Sequence, residues 1–215
     1  MFTGIVEEVG SIADATESPS GTLRVTVSAS LPFVTSLAVG DSVSVSGCCL
    51  TVVERATGSS GTFAVDLVEE TLMRTAPRWH SGSDVNLEQA MRAGAAFGGH
   101  VVTGHVDGVA EVVDVDVTPG AYVVRFRAPA RLAGQLVPKG SVAVDGVSLT
   151  VVDVGGPGGS RADWPATDFS VSLIPHTLEV TTLSGLRTGD RANLETDVLA
   201  KHVERILALR EAARD

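Results

Sequence analysis

The sequence predicts an all-β protein of two tandem, homologous antiparallel β-barrels followed by a C-terminal α-helix. Three observations support this prediction. Four sequence blocks recur in the same order, Val- and Thr-rich segments are separated by turn signals at short intervals, and the helical pattern is confined to the end of the chain. A length of 215 residues is sufficient for two small domains, each with its own core.

The internal repeat is the strongest of these signals. Residues 2–9 align with 102–109, 42–53 with 141–152, 63–72 with 169–178, and 86–88 with 193–195. The spacing between blocks is nearly constant and widens only at residues 155–167, a Gly-, Pro- and Asp-rich stretch that is typical of an enlarged hairpin loop. Chance similarity among Val-rich strands would not preserve both order and spacing, so the chain is a duplication.

Each repeat is composed mainly of short strands. We predict strands at Leu23–Ala29, 42–46, 50–54, 62–67, 123–126, Ser141–Val144, 149–154 and 169–173. Single helical turns are expected at 35–37, 88–95 and 131–136. Short antiparallel strands without a long helix favour a small closed barrel, because closure removes exposed sheet edges.

The tail has a different pattern. From Asp197 onward, apolar residues recur at three- and four-residue steps, which predicts an amphipathic helix with Asp197 near its start. Two interpretations are equally compatible with this helix. It lies across its own barrel, or it packs against its copies in other subunits.

Composition excludes several classes of function. The net charge of −10 argues against a nucleic-acid partner, since a phosphate-binding surface needs positive charge. No 18-residue apolar run and no signal peptide are present, so we expect a cytoplasmic protein without a membrane segment. Two adjacent cysteines point to opposite faces of a strand, which disfavours a disulfide between them. Neither a metal-ligand spacing nor a Gly-rich phosphate loop occurs, so no metal site and no cofactor are expected.

One strand in each repeat has candidate binding residues. Period-two alternation places Cys48, Leu50 and Val52, and their counterparts Val147, Leu149 and Val151, on the core face. The opposite face has Cys49 and Thr51 in the first repeat, and Ser148 and Thr150 in the second. This polar face suits a heteroaromatic ligand, but it is also typical of a half-exposed strand, and taken alone it favours the latter.

The repeats differ at positions that matter for chemistry. The second repeat has His105, Lys139, Asp145 and Ser148 where the first has Ile5, Gly40, Ser46 and Cys49. A His, a Lys and an Asp near a Ser could transfer protons and orient a nucleophile, although Lys139 in a Pro-Lys-Gly turn is also ordinary surface chemistry. For His100, a linker role is favoured over a site role. The residues thus predict one neutral and one ionisable binding barrel.

Five segments of the sequence resemble a known family. MFTGIVEEVG at the start, GCCLTVV, FGGHVVTGHVDGVA, DGVSLTVVDV and SLIPHTLEVTTL closely resemble riboflavin synthase of the two-lumazine-binding-repeat type, over essentially the whole chain. The resemblance implies six strands per barrel and domains at 1–98, 99–196 and 197–215, the last being an oligomerisation helix. It implies a transferase that converts two molecules of 6,7-dimethyl-8-ribityllumazine into riboflavin and 5-amino-6-(D-ribitylamino)uracil by four-carbon transfer, without a cofactor.

The resemblance also implies site residues. It assigns to the N-barrel pocket Gly4, Ile5, Val6, Cys49, Leu50, Thr51, Asp66 and Thr71. It assigns to the C-barrel pocket Gly104, His105, Val106, Lys139, Ser148, Leu149, Thr150, Ile174, Pro175 and Thr177. His176 departs from the family, which often has an acid after Ile-Pro, and this puts fine substrate contacts in doubt.

Catalytic roles follow from the same resemblance. His105 is implied to assist proton transfer at a lumazine methyl group, and Ser148 with Asp145 to activate a water or hydroxyl. Cys49 is implied to have a role related to that of Ser148 in the N-barrel pocket. Phe2 and Thr3 are expected to close the site.

The expected assembly is a homotrimer. The resemblance puts the active site between the N-barrel of one subunit and the C-barrel of another, and association with lumazine synthase is a further expectation. The main alternative is a non-catalytic lumazine- or flavin-binding antenna protein. A flavin barrel of a reductase would need a nucleotide domain for which the chain has no room.

Overall fold

The computed structural model describes residues 1–18, 21–58 and 61–214. It contains two closed six-stranded antiparallel barrels and a C-terminal helix, which confirms the predicted fold class. Asp215, the last residue of the predicted third segment, lies outside the described residues.

The first barrel, the N-barrel, closes in the strand order β1-β2-β5-β4-β3-β6. Its strands are β1 Glu8–Glu17, β2 Leu23–Ala29, β3 Ser42–Val45, β4 Cys48–Thr57, β5 Gly61–Leu67 and β6 Asp84–Gln89. Two short helices join them, α1 Leu31–Ser36 and α2 Glu69–Arg74. Ser30 caps α1 by accepting a hydrogen bond from the Phe33 N–H, and Pro32 lies in the first turn, where proline is compatible with a helix. These two residues define the start of α1.

The second barrel, the C-barrel, closes in the order β10-β11-β8-β7-β12-β9. Its strands are β7 Gly108–Thr118, β8 Ala121–Arg127, β9 Ser141–Val144, β10 Val147–Val154, β11 Asp168–Leu173 and β12 Arg191–Thr196. The connections include 3₁₀ helices at Ala130–Gln135 and Thr182–Gly185, and α3 at Pro175–Val180. The enlarged loop predicted at 155–167 joins β10 to β11.

Strand prediction succeeded for most Val- and Thr-rich segments and missed four strands, of which β7 is itself Val-rich. Seven of the eight predicted segments lie wholly in strands, and the segment 42–46 runs one residue past the end of β3, but the sequence predicts no strand at β1, β6, β7 or β12. β1 and β6 are rich in Ala, Asp, Asn and Glu, which have low β-propensity. The helical turn expected at 88–95 is wrong, because Glu88 and Gln89 end β6 and no helix follows in residues 90–95. The turns expected at 35–37 and 131–136 overlap helices.

Each barrel has its own core. Cys48, Leu50 and Val52 point into the N-barrel as the alternation predicted, and Val147 and Val151 point into the C-barrel, with Leu149 packed against it half-buried. One aromatic pair packs within each core. The pair of the first core is Phe33 and Phe63, and in the second Phe126 stacks on Phe169 with 5.4 Å between the ring centroids.

The barrels meet at two glycine turns related by a pseudo-twofold axis. In each turn both residues have positive φ, 45° and 80° at Ser46-Gly47 and 47° and 77° at Asp145-Gly146, the geometry of a type I′ hairpin. A Cβ on Gly47 would lie 2.7 Å from the Gly146 nitrogen, and one on Gly146 would lie 2.6 Å from the Gly47 nitrogen. Only glycine permits this approach at both positions.

Two buried asparagines join the barrels reciprocally. The Asn86 side-chain amide donates to the Asp145 carbonyl at 2.9 Å, and the Asn193 amide donates to the Ser46 carbonyl at 2.7 Å. Their side-chain oxygens accept from the Thr182 and Ala76 N–H groups across the same interface. These are the Asn residues of the fourth repeated block, so the repeat encodes the contact between its own two copies.

One charged pair breaks this symmetry. Asp145 is buried and accepts hydrogen bonds from the Arg78 guanidinium at 2.6 Å and from the Asn193 N–H at 2.7 Å. At the equivalent place, the Ser46 hydroxyl accepts from the Asn86 N–H at 3.1 Å. The Ser-to-Asp difference between the repeats therefore adds an ion pair across the interface.

The C-terminal helix α4, Val198–Ala212, buries none of its residues. Asp197 caps it by accepting from the Leu199 N–H, and polar contacts attach it to the C-barrel: Lys201 to Asp107 and Glu204 to Gln135. Leu199, Val203, Ile206 and Leu207 remain at least half exposed. In the described parts of the chain, no helix is long and apolar enough to cross a membrane.

We expect Asp145→Ala to lower the free energy of unfolding by about 3–5 kcal/mol, because it leaves the Arg78 guanidinium partly buried without its carboxylate. Asp163→Ala is the matched control, since it removes an ion pair with Arg161 in which both side chains are well exposed. The control should cost less than about 1 kcal/mol. Urea titration measures both values, and equal losses would contradict an interfacial role for Asp145.

Candidate functional site

Two extended segments cross between the barrels. The first arm, residues 1–6, precedes β1, and the second arm, residues 101–106, precedes β7. They pair at a single antiparallel bridge, where the Phe2 N–H donates to the Val102 carbonyl at 2.8 Å and the Val102 N–H donates to the Phe2 carbonyl at 3.1 Å. Both side chains are fully buried between the barrels.

Beyond this bridge, each arm lies on the barrel of the other repeat. The Ser148 N–H donates to the Gly4 carbonyl at 2.8 Å, and Val6 packs against the core cluster of the C-barrel. Reciprocally, the Cys49 N–H donates to the Gly104 carbonyl at 2.8 Å, and Val106 packs against the core cluster of the N-barrel. The arms are exchanged.

The exchanged arms place residues of each predicted pocket on the barrel of the other repeat. The first arm had been assigned to the N-barrel pocket and the second arm to the C-barrel pocket, as though each repeat folded onto itself. The carbonyl groups of Gly4 and Gly104 and the side chains of Val6 and Val106 contact the opposite barrel. Alignment of repeats cannot reveal this, because two arms of equal sequence satisfy either arrangement.

Glycine is required where each arm touches the other barrel. Gly4 and Gly104 have φ of 75° and 77°. A Cβ would lie 2.6 Å from the Cβ of Ser148 at Gly4 and 2.6 Å from the Cβ of Cys49 at Gly104. The glycines of the repeated Thr-Gly pair therefore allow backbone to lie directly on the strand that has the candidate binding residues.

A buried carboxylate holds each arm. One oxygen of Glu88 accepts from the Thr3 N–H at 2.7 Å and the Thr3 hydroxyl at 2.8 Å, and its other oxygen accepts from the Gly4 N–H at 2.9 Å. Glu195 repeats the pattern with Thr103, at 2.7 and 2.6 Å, and Gly104, at 2.9 Å. We call each set a carboxylate clamp. Burial raises the pKa of Glu88, and the hydrogen bonds from Thr3 oppose this. Both glutamates belong to the repeated Asn-Leu-Glu block, whose pattern alone indicates no role for them.

The outer walls of the two barrels are related but unequal. Cys49 and Thr51 lie on the outer face of β4, and Asp66 lies beside them on β5, since Val52 pairs with Val65. The counterparts on β10 and β11 are Ser148, Thr150 and Ser172. We refer to these two sets as the N-wall and the C-wall.

The N-wall is the ionic one. Arg24 makes a bidentate ion pair with Asp66, at 2.8 and 2.9 Å, and this guanidinium lowers the pKa of the Asp66 carboxyl. The corresponding cross-strand pair of the C-barrel is Val123 with Ser172. The sequence predicts a neutral first site, and on the N-wall the charges of Arg24 and Asp66 compensate each other.

The C-wall has a different polar partner. The Ser148 hydroxyl lies 2.7 Å from Nδ1 of His100, a buried imidazole. Burial lowers the pKa of His100, so the neutral ring is favoured near pH 7. Within the described ranges, its Nε2 atom has no hydrogen-bond partner. A neutral imidazole with its proton on Nε2 can accept the serine proton at Nδ1.

This contact changes two sequence interpretations. His100 was taken as a linker residue, but it lies against the candidate nucleophile. Asp145 was paired with Ser148, but its hydrogen bonds go to Arg78 and Asn193, in the interface between the barrels. The signal in the sequence for the His100 contact is the segment Gly98-Gly99-His100, because two glycines let the chain pass close to a strand.

The other candidate residues differ in their burial. Leu50 is buried in the N-barrel core, and Leu149 is half-buried. Thr71 on α2 and Thr177 on α3 are half-buried, and each accepts through its carbonyl a hydrogen bond from a threonine hydroxyl one turn later. The exposed candidates are Ile5, His105, Lys139, Ile174 and Pro175. No group of three or more His, Cys, Asp or Glu among the described residues could hold a metal ion.

Comparison with known proteins agrees with this architecture. The family model described as Lumazine binding domain matches twice, at residues 3–90 and 103–197. A riboflavin synthase of Mycobacterium tuberculosis is 46% identical over 209 residues, covering 96% of this chain and 98% of that protein. Riboflavin synthases of Photobacterium phosphoreum and Bacillus subtilis are 41% and 38% identical over 208 residues, covering 96% of this chain and 89% and 90% of theirs.

Solved structures give the same result for the fold. LumP complexed with riboflavin matches with a TM-score of 0.73 and 26% identity, covering 91% of this chain and 99% of that one. LumP complexed with 6,7-dimethyl-8-(1'-D-ribityl) lumazine matches with a TM-score of 0.71 over the same shares, at 24% identity.

The two adjacent cysteines are expected to react very differently. Burial raises the pKa of Cys48 to about 12, whereas Cys49 is half-buried on the N-wall. Iodoacetamide at pH 8 should therefore alkylate Cys49 and leave Cys48 as the thiol, because the thiolate is the reactive form. Peptide mapping by mass spectrometry measures this. Cys49→Ser should leave the folded chain almost unlabelled, and rapid labelling of Cys48 would contradict the assignment of faces.

Proposed function

The chain belongs to the riboflavin synthase family, and we propose that it catalyses the dismutation of two molecules of 6,7-dimethyl-8-ribityllumazine. One molecule donates a four-carbon unit to the other, which yields riboflavin and 5-amino-6-(D-ribitylamino)uracil. The observation that supports this best is the pair of related but unequal walls, since a reaction between two identical molecules needs two similar sites that give them different roles.

Chemical roles divide between the walls in this proposal. The Ser148–His100 pair activates a hydroxyl or water at the C-wall, with the neutral imidazole as base. The N-wall contributes Cys49, Thr51 and the Asp66–Arg24 ion pair, which can hydrogen-bond a polar substrate. Holding both lumazines together supplies much of the rate enhancement through proximity and orientation.

The remaining predicted pocket residues surround these groups in the proposal. In the proposal, His105 assists proton transfer at the reacting methyl group. It is exposed on the second arm, which lies on the N-barrel, so we propose that it serves a lumazine bound there. The contacts of Ile5, Lys139, Ile174, Pro175 and Thr177 with substrate are proposed on resemblance alone.

Assembly is part of the same proposal. The exposed apolar side chains of α4 and the 510 Å³ cavity between this helix and Val137 support packing against other copies of the chain. We propose a homotrimer in which the N-barrel of one subunit faces the C-barrel of another, with division of the chain at 1–98, 99–196 and 197–215. Free cysteines support a cytoplasmic location. Association with lumazine synthase is proposed on resemblance alone.

The direct test mixes the purified full chain with the lumazine and follows riboflavin fluorescence together with release of the ribitylaminouracil in equal amount. Formation of both products in a 1:1 ratio supports the enzyme. Lumazine that stays bound and unchanged would instead assign the chain to the non-catalytic antenna proteins, whose fold it shares.

Replacing His100 should change the pH profile as well as the rate. Because burial lowers the pKa of His100, the base is lost only as pH falls below the ordinary histidine value of about 6.5. The wild-type kcat/KM should therefore decline on that acid side. His100→Gln should lower kcat by about 10²-fold or more and remove this acid limb, with little change in lumazine affinity. Steady-state kinetics between pH 5 and 8 measure it, with the exposed His80→Gln as control. An unchanged acid limb in His100→Gln would refute the base assignment.

A further inference from the structure

The two carboxylate clamps are the part of the molecule that the proposed chemistry leaves without a role. Glu88 and Glu195 are buried to 5% and 3% exposure, and each receives three hydrogen bonds from its arm. All three donors belong to a Thr-Gly pair. A buried carboxylate is costly unless its oxygens are hydrogen-bonded, so the arm and the clamp each require the other.

Each clamp and the strand that its arm reaches belong to different barrels. Glu88 lies on β6 of the N-barrel and accepts a hydrogen bond from the Gly4 N–H. The Gly4 carbonyl accepts from the Ser148 N–H on the C-wall. Glu195 on β12 of the C-barrel holds the Gly104 N–H, whereas the Gly104 carbonyl accepts from Cys49 on the N-wall. A single glycine therefore connects a carboxylate in one barrel to the reactive strand of the other.

The clamps are not needed to close their own barrels. β6 pairs with β1 from Glu8↔Leu87 to Ser11↔Asp84 and with β3 at Val43, Ser44 and Val45, so the sheet is closed without the arm. Beyond the buried Phe2, apolar burial fixes the arm less tightly, because Ile5 is 50% exposed and Val6 only half-buried. The position of Gly4 over the C-wall is thus determined largely by the Glu88 clamp and the bridge at Phe2.

We infer that Glu88 and Glu195 are positioning residues that act crosswise: Glu88 sets the geometry of the C-wall pocket through the first arm, and Glu195 sets that of the N-wall pocket through the second. This inference rests on the proposed function only in naming the lumazine as the ligand of both pockets. As a consequence, each barrel determines the geometry of the other barrel's pocket. A change at one clamp therefore affects the substrate bound in the opposite barrel and leaves the other substrate unaffected.

The first test needs no ligand. Glu88→Gln keeps the shape of the side chain but has one acceptor oxygen, so it cannot accept from Thr3 and Gly4 on both sides. In the full chain, we expect amide hydrogen exchange at Ser148 to accelerate about tenfold, while exchange at Cys49 stays within about twofold of wild type. Glu195→Gln should give the reverse, with Cys49 accelerated and Ser148 unchanged.

Controls separate this effect from general loosening. Glu7→Gln is matched, since this exposed carboxylate near the end of the first arm accepts from the Gln89 N–H and should leave both amides unchanged. If either clamp variant fails to fold, Thr3→Val and Thr103→Val remove one donor from each clamp and should give the same crossed pattern. Equal acceleration of both amides in one variant, or acceleration only within the variant's own barrel, overturns the inference.

A second measurement uses ¹³C-labelled 8-ribityllumazine bound to the full chain, because this lumazine lacks the 6- and 7-methyl groups, cannot donate the four-carbon unit and is not consumed. Wild type should give two bound signals, which Asp66→Ala and Thr150→Val assign to the N-wall and C-wall pockets. Glu88→Gln should weaken the C-wall site about tenfold and leave the N-wall site within about twofold, and Glu195→Gln the reverse. Weakening in the variant's own barrel overturns the inference. A wild type that binds no lumazine refutes the proposed function, and amide exchange then decides the inference alone.

Discussion

The reciprocal contact between the two glycine turns is the constraint on which the rest of the molecule depends. Because Gly47 and Gly146 approach backbone to backbone, and Asn86 and Asn193 hydrogen-bond across the same axis, the two barrels have one defined orientation. That orientation brings each arm within reach of the opposite barrel. The bridge at Phe2 and Val102, the exchanged arms and both clamps follow from it.

Small departures from this symmetry have local chemical effects. At the interface, Asp145 replaces Ser46 and adds an ion pair with Arg78. On the walls, Ser148 has the imidazole of His100 beside it, whereas the N-wall has the Asp66–Arg24 pair. Each difference changes hydrogen bonding and charge without moving a strand. On the walls, a closed barrel tolerates such substitutions because its stability comes mainly from the buried face.

The fold was largely predictable from the sequence and the site was not. Period-two alternation and repeated blocks identified the strand faces, and these hold for Cys48, Leu50 and Val52. Strands of low β-propensity such as β1 escaped notice because tertiary pairing, which a local pattern does not contain, stabilises them. The contacts of Gly4, His100 and Asp145 depend on the packing of one repeat against the other. A local pattern within one repeat contains none of these contacts.

The exchanged arms have an evolutionary consequence. Contacts related by a twofold axis are those of an isologous dimer, in which the same patch on two identical chains meets itself. A single-barrel chain with its own Thr-Gly arm, Asn-Leu-Glu strand and glycine turn could make every symmetric contact described here with a second copy. Fusion of two such copies would keep the interface while freeing each half to change separately. The two halves of this chain therefore resemble the two subunits of such a dimer, joined in one polypeptide and differing at pairs such as Ser46 and Asp145.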